Sequence, residues 1–238
     1  MKLLAVDTSS ITASCALLED KKLLGEFFSN VKLTHSQTIM PMVESLLKQT
    51  RVSLEEIDAF AVTGGPGSFT GLRIGLAAVK GMAWALERPC ITVSTLEALA
   101  YNLYGIDCVV APVLDARCSQ VYTALFRWEG ERITRLEEDD AISLQNLKNR
   151  LKNVEKPVFL VGDGAEMCYN NLCQEIPHLR LPSPALIWLR SSALGAAALS
   201  YAADGITVSP AQLAPCYLRL PQAQRELLAK KNKGVKEK

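Results

Sequence analysis

The sequence predicts an α/β protein of two lobes, each a mixed sheet flanked by helices. One observation is a run of three short strands joined by tight turns that opens the chain and starts again near residue 108. A second is the alternation of apolar, strand-like runs with helical periodicities between those two meanders. A third is the glycine-rich stretch Gly64–Gly75 (GGPGSFTGLRIG), which joins one such run to a helix.

Lys2–Val6 reads as a buried strand ending in Asp7-Thr8-Ser9-Ser10, with Ile11–Glu19 and Leu23–Phe28 as its meander partners. Thr34-His35-Ser36-Gln37 has the form of a capping box, and Ile39, Val43, Leu46 and Leu47 follow at helical spacing. Pro41 requires that this helix begin near Thr38 or kink. Ser53-Leu54-Glu55-Glu56 caps a short helix, and Ala59–Thr63 is apolar throughout, as a strand covered on both faces should be. Four glycines and a proline in the next eight residues predict a shaped loop beginning at Gly64. A helix follows to about Leu86, then a strand at Pro89–Val93 and a helix capped by Ser94 and Glu97.

The second meander is Cys108–Leu114, Val121–Trp128 and Arg132–Leu136, with Asp115 placed as Asp7 is in the first. A helix near Ser143–Lys152, a strand at Pro157–Val161, a helix at Ala165–Cys173 and a long Ala-rich helix at about 184–203 complete the lobe. The boundaries expected are 1–106 for the first lobe and 107–220 for the second, with the long helix packing between them. Residues 221–238, with six Lys and Arg against Glu226 and Glu237, form a basic, disordered tail that is solvated or tracks RNA.

Composition narrows the function classes. The chain has 238 residues, 49% hydrophobic and 21% charged, with net charge +1, so no global charge argues for nucleic-acid binding. MKLLAVD is too short for a signal peptide, and no apolar run has membrane-spanning length. Seven scattered cysteines without a CxxC read as reduced, buried thiols in a cytoplasmic protein. Two histidines, His35 and His178, lack ligand spacing to any Cys pair, so no metal site is expected.

A strand, a glycine-rich turn and a helix N-terminus gather backbone N–H groups around an anion, which suggests a phosphate or nucleotide contact. Equally, the glycines let the chain turn sharply and pack closely, and the Gly-Lys-Ser/Thr ending of a P-loop is missing. Two meander-first lobes suggest the actin-like ATPase architecture, in which Asp7 and Asp115 would face one cleft. One carboxylate could hold Mg²⁺ through water and the other act as a base; alternatively each only closes an Asx turn.

KLLAVDTSS, THSQTIMPMVESLL, GGPGSFTGLRIG, VSTLEALA and VLDARCSQVYTALF stand in that order over residues 1–126, with VGDGA at 161–165 and PCYLR at 215–219 beyond them. Together they resemble the TsaB (YeaZ) family of the bacterial tRNA threonylcarbamoyladenosine system. The resemblance implies an actin-like fold degenerate as an enzyme: a non-catalytic scaffold that binds and activates TsaD. TsaD is the paralogue that transfers the threonylcarbamoyl group to the adenosine next to the anticodon. It further implies TsaE, an ATPase, as a partner, tRNA contact through the complex, and a homodimer of the isolated chain.

TsaD carries an HxxxH metal pair; here His35 is followed by Ile39 at that distance. The family's partner surface maps onto His35–Lys48 and Gly71–Leu86, with His35, Ile39, Met40, Val43, Leu47, Gly71, Leu72, Gly75, Ala78, Val79 and Met82 as interface residues. The same residues could instead fill the chain's own core. Asp7, Thr8, Ser9, Gly65, Gly67, Ser68 and Asp115 would be what remains of a nucleotide cleft. No cofactor is required, with ATP or ADP and Mg²⁺ at most weakly held or shared at an interface. The rival reading is a nucleotide-dependent enzyme of the same fold, a small kinase or phosphotransferase.

Overall fold

The computed structural model describes residues 1–31 and 33–219. The first sheet is built from β1 (Lys2–Asp7), β2 (Ala13–Glu19), β3 (Lys22–Ser29), β4 (Ala59–Gly65) and β5 (Cys90–Ser94). Its order is β3-β2-β1-β4-β5, antiparallel across the meander and parallel from β1 through β4 to β5. The second sheet holds β6 (Cys108–Asp115), β7 (Gln120–Glu129), β8 (Arg132–Ser143), β9 (Val158–Val161) and β10 (Leu179–Arg180). Its order, β8-β7-β6-β9-β10, repeats the first strand for strand and in the same sense of pairing. The helices are α1 (His35–Thr50), α2 (Phe69–Ala85), α3 (Thr95–Ala100), α4 (Leu144–Lys152), α5 (Ala165–Leu172), α6 (Pro184–Ile187) and α7 (Ser191–Ala203).

Five layers follow from the two-residue period of the strands. Leu4 and Val6 of β1 face α1 and α2, meeting Ile39, Val43, Leu72 and Val79. Leu3 and Ala5 face the other way, onto α3 and α7. Those two helices are shared with the inner face of the second sheet, where Tyr122, Ala124, Phe126 and Trp128 pack. On the far side Val109, Ala111 and Val113 of β6 meet Leu147 of α4 and Cys168 of α5. Both sheets are thus covered on both faces, which explains the near-continuous apolar runs of β1 and β6.

Polar clasps hold the central layer. Trp128 Nε1 donates to the Ala100 carbonyl at 2.8 Å, and Tyr101 and Tyr104 stand edge-on to its ring. Arg135 of β8 reaches Glu97 of α3 at 2.7 Å and Asp139 at 2.6 Å, and the Tyr201 hydroxyl of α7 donates to the same Glu97 oxygen at 2.9 Å.

Several elements differ from the sequence expectation. The structure takes α1 from His35 straight through Pro41, and Thr34, although its N-cap, makes no side-chain cap bond. Strand β4 continues through Gly64 and Gly65, because Gly65 still pairs with Ser94 and the Gly64 carbonyl accepts from Cys216 N at 2.7 Å. The Ser94 hydroxyl caps α3, but Glu97 turns to Arg135 and Tyr201 instead of completing a box. The long helix is two helices, broken at Trp188–Arg190 where Glu26 of β3 takes over. Its carboxylate receives Ser192 N and Oγ at 2.9 Å each and the Arg190 guanidinium at 2.6 Å. Strand β8 runs seven residues beyond Leu136, and the two-residue β10 carried no pattern to find. Cys118 and Cys216 are exposed rather than buried. The basic tail lies outside the described residues.

Candidate functional site

Two places hold most of the residues singled out in the sequence: the turn after β1 with the loop before α2, and the α1/α2 pair. In the first, Asp7 is fully buried and does not itself line the cleft between the lobes, although Ser9 beside it does. Its Oδ1 accepts from Ser9 N at 3.1 Å, Ser9 Oγ at 2.6 Å and Thr63 Oγ1 at 2.7 Å; its Oδ2 has no partner. Burial pushes the Asp7 carboxyl above the usual range, against the lowering effect of those hydrogen bonds. Asp115 forms the same turn, its Oδ1 accepting from Arg117 N at 2.7 Å, but it is exposed and lines the cleft. Asp7 and Asp115 therefore do not face one cleft: each closes an Asx turn, and only the second is open to a ligand.

The glycines of the loop serve this turn. A Cβ on Gly71 would lie 2.0 Å from the Thr8 carbonyl oxygen, and one on Gly67 would lie 2.3 Å from that of Ser9. One on Gly75 would meet Thr8 Oγ1 at 2.6 Å. Thr8 Oγ1 donates to the Gly71 carbonyl at 2.7 Å, and Ser68 N donates to the Ser9 carbonyl at 2.7 Å. His35 Nε2 meets the Ser10 carbonyl at 2.8 Å, so α1 pins the same turn from the other side. Residues 8–10 thus pack against the loop, and the Ser68 and Gly71 N–H groups are spent on the Ser9 carbonyl and the Ser68 hydroxyl. Gly65 has φ of +123° and stands against the Cys216 carbonyl. No nucleotide step is assigned to these residues.

The cleft itself has a volume of about 790 Å³ and is lined by Ser9, His35, Phe69, Asp115, Tyr122 and Asp163 among others. Asp163, missed in the sequence although it lies within VGDGA, accepts from Asp115 N at 2.9 Å. Burial raises its carboxyl to about 6, and the neighbouring Asp115 adds to the rise. Among the described residues no group of three or more His, Cys, Asp and Glu could hold a metal ion, and no helix is long and apolar enough to cross a membrane.

At the second place, the expected interface residues divide. Ile39, Val43, Gly71, Leu72, Gly75, Val79 and Met82 are buried under the chain's own first sheet or against its turn. The small residues Gly71 and Gly75 admit Thr8, not a second helix. His35, Leu47 and Ala78 are half-buried, and Met40 is 43% exposed. What faces outward on α2 is a different stripe: Thr70, Arg73, Ala77, Gly81 and Trp84, the last 59% exposed. Spacings of three and four set these residues on one side of the helix, and a Cβ on Gly81 would meet nothing within 4 Å. The sequence signal for this stripe was available, since it is the complement of the core stripe, with a tryptophan at its end.

The relatives agree with this architecture. The family profile described as "TsaD: tRNA N6-adenosine threonylcarbamoyltransferase" matches residues 24–224. The tRNA threonylcarbamoyladenosine biosynthesis protein TsaB of Bacillus subtilis is 36% identical over 162 residues, 68% of this chain and 71% of that protein. TsaB of Escherichia coli is 32% identical over 234 residues, 97% of this chain and 100% of that one. The chain belongs to the TsaB family. Among solved structures, YeaZ from Pseudomonas aeruginosa matches with a TM-score of 0.75 at 30% identity, covering 91% of this chain and 100% of that one. Component A of (R)-2-hydroxyglutaryl-CoA dehydratase from Acidaminococcus fermentans shares the two-lobed actin-like fold alone, at a TM-score of 0.52 and 13% identity over 85% of this chain and 99% of that one. This TsaB-family chain thus keeps the actin-like frame while its own turn packs against the loop before α2.

Proposed function

We propose that the chain is a non-catalytic subunit of tRNA threonylcarbamoyladenosine synthesis that docks TsaD on the outer face of α1 and α2. Family membership supports the pathway, and the names of its relatives place them in that biosynthesis. The observation that carries the docking reading is the outward stripe Arg73, Ala77, Gly81 and Trp84, which the chain's own core leaves unused. Small residues beside an exposed tryptophan let a partner helix approach closely and supply an aromatic anchor. Two helices from each side build a four-helix contact. The burial of Asp7 supports the non-catalytic part of the reading, because a carboxylate closed off from the cleft touches no substrate.

TsaE and tRNA join through the assembled complex, and the isolated chain pairs weakly with a second copy through the same face. The test is Gly81→Trp, a substitution into open space that leaves folding unchanged by circular dichroism. It is expected to abolish co-purification with TsaD and formation of the modified nucleoside in a reconstituted system. Undiminished co-purification, or ATP-dependent turnover by the purified chain alone, would overturn the reading.

A further inference from the structure

The docking stripe contains a cation held in a fixed place. Arg73 is exposed, its Nε donates to the Tyr217 hydroxyl at 2.8 Å, and its guanidinium carbon lies 5.7 Å from the centre of the Tyr217 ring. That ring stacks on Phe69 of α2 with centroids 4.4 Å apart and planes at 24°. Tyr217 is itself placed by the segment after α7, which crosses back over the first lobe. There Val208 bridges to Cys90, Leu213 enters the core, Lys80 donates to the Ala211 carbonyl at 3.2 Å, and Cys216 N meets the Gly64 carbonyl at 2.7 Å. Among the described residues, no carboxylate pairs with the guanidinium. Helix α2 contains no Asp or Glu, the crossing segment 206–219 contains none, and α1 has only Glu44.

We propose that Arg73 is the charged anchor of the docking face and receives a carboxylate of the partner protein, with Phe69 and Tyr217 extending that face beyond the two helices. This rests on the docking reading above and names the chemistry the partner brings. With Nε engaged, the two terminal nitrogens keep the planar fork that matches a carboxylate in bidentate fashion, and the ring beneath fixes its orientation before binding. A second copy of this chain matches less well, because Lys48, Arg73 and Lys80 would meet the same cations with Glu44 as the one available carboxylate on the helix pair. A nucleic acid is disfavoured too: a backbone-tracking surface needs a row of cations, whereas Arg73 shares its stripe with Ala77, Gly81 and Trp84.

The experiment uses the full chain and purified TsaD, with affinity measured by calorimetry across a salt series. Arg73→Glu is expected to weaken the complex at least about tenfold, and Arg73→Lys to fall between it and the parent because it keeps the charge and loses the fork. Replacing TsaD carboxylates by Lys one at a time should find a position that recovers Arg73→Glu. The parent complex should weaken as salt rises, and Arg73→Gln should flatten that slope, while the homodimer of the isolated chain should tighten as its like charges are screened. If Arg73→Glu binds as the parent does while Gly81→Trp does not, the anchor is wrong and the docking face stands. If both bind as the parent does, the docking reading fails as well. If Arg73→Glu keeps TsaD but the assembled complex loses tRNA affinity, the fork serves a phosphate and the proposal is overturned.

Discussion

Thr8 accounts for two of the glycines that make the loop before α2 so conspicuous. Its carbonyl and hydroxyl stand 2.0 Å and 2.6 Å from where Gly71 and Gly75 would carry a Cβ. The obstacle at Gly71 is backbone, which cannot rotate away, so Gly71→Ala is expected to destabilise the fold by about 3 kcal/mol or more in urea unfolding. Gly75→Ala meets a hydroxyl and should cost less; equal effects at the two positions would argue against this packing. Asp163 sets a second expectation. Its folded carboxyl titrates at about 6, above the ordinary 3.8, so the folded state holds the proton more firmly than the unfolded state does. The stability this group contributes is full below the ordinary value and is lost as pH rises through about 6. Asp163→Asn keeps an acceptor for Asp115 N and removes the titration. It should be more stable than the parent at pH 7 by about 2 kcal/mol, with the difference gone near pH 4.

Most elements were legible because their signals are local. Apolar runs gave β1 and β6, alternation gave β2, and Ser94 and Ser143 each marked a helix start that the structure keeps. The errors lie where distant residues decide. Glu26 breaks the Ala-rich run at Arg190 from 164 residues away, and nothing local to 184–203 reveals it. The two-residue β10 exists only because β9 offers an edge. Glu97 has the spacing of a cap but serves Arg135 and Tyr201. That network ties β8 to α3 and α7, so Arg135→Met, which leaves buried Glu97 and half-buried Asp139 without their cation, is expected to cost about 3 kcal/mol. A loss near zero would mean the three side chains are better solvated than their geometry implies.

At the scale of the molecule, two copies of one strand order enclose a shared helical layer, and the proposed docking face lies outside it. An actin-like frame offers a cleft between its lobes, and here the turn after β1 packs tightly against the glycine-rich loop before α2 while the acidic residue of that turn is buried. The motifs that made the family recognisable therefore report packing at least as much as chemistry. The helix pair was singled out by resemblance, but seven of the eleven residues chosen on it belong to the core stripe. Periodicity alone does not say which of two apolar stripes faces the sheet; burial does, and it leaves Arg73, Ala77, Gly81 and Trp84 outside. Amide hydrogen exchange on the full chain, alone and with TsaD, tests this most directly. The account expects added protection concentrated in 38–48 and 70–85, with the segment around Tyr217 protected in step. Protection confined to the cleft-lining segments near Asn30, Asp115 and Asp163, with α2 exchanging as in the free chain, would contradict it.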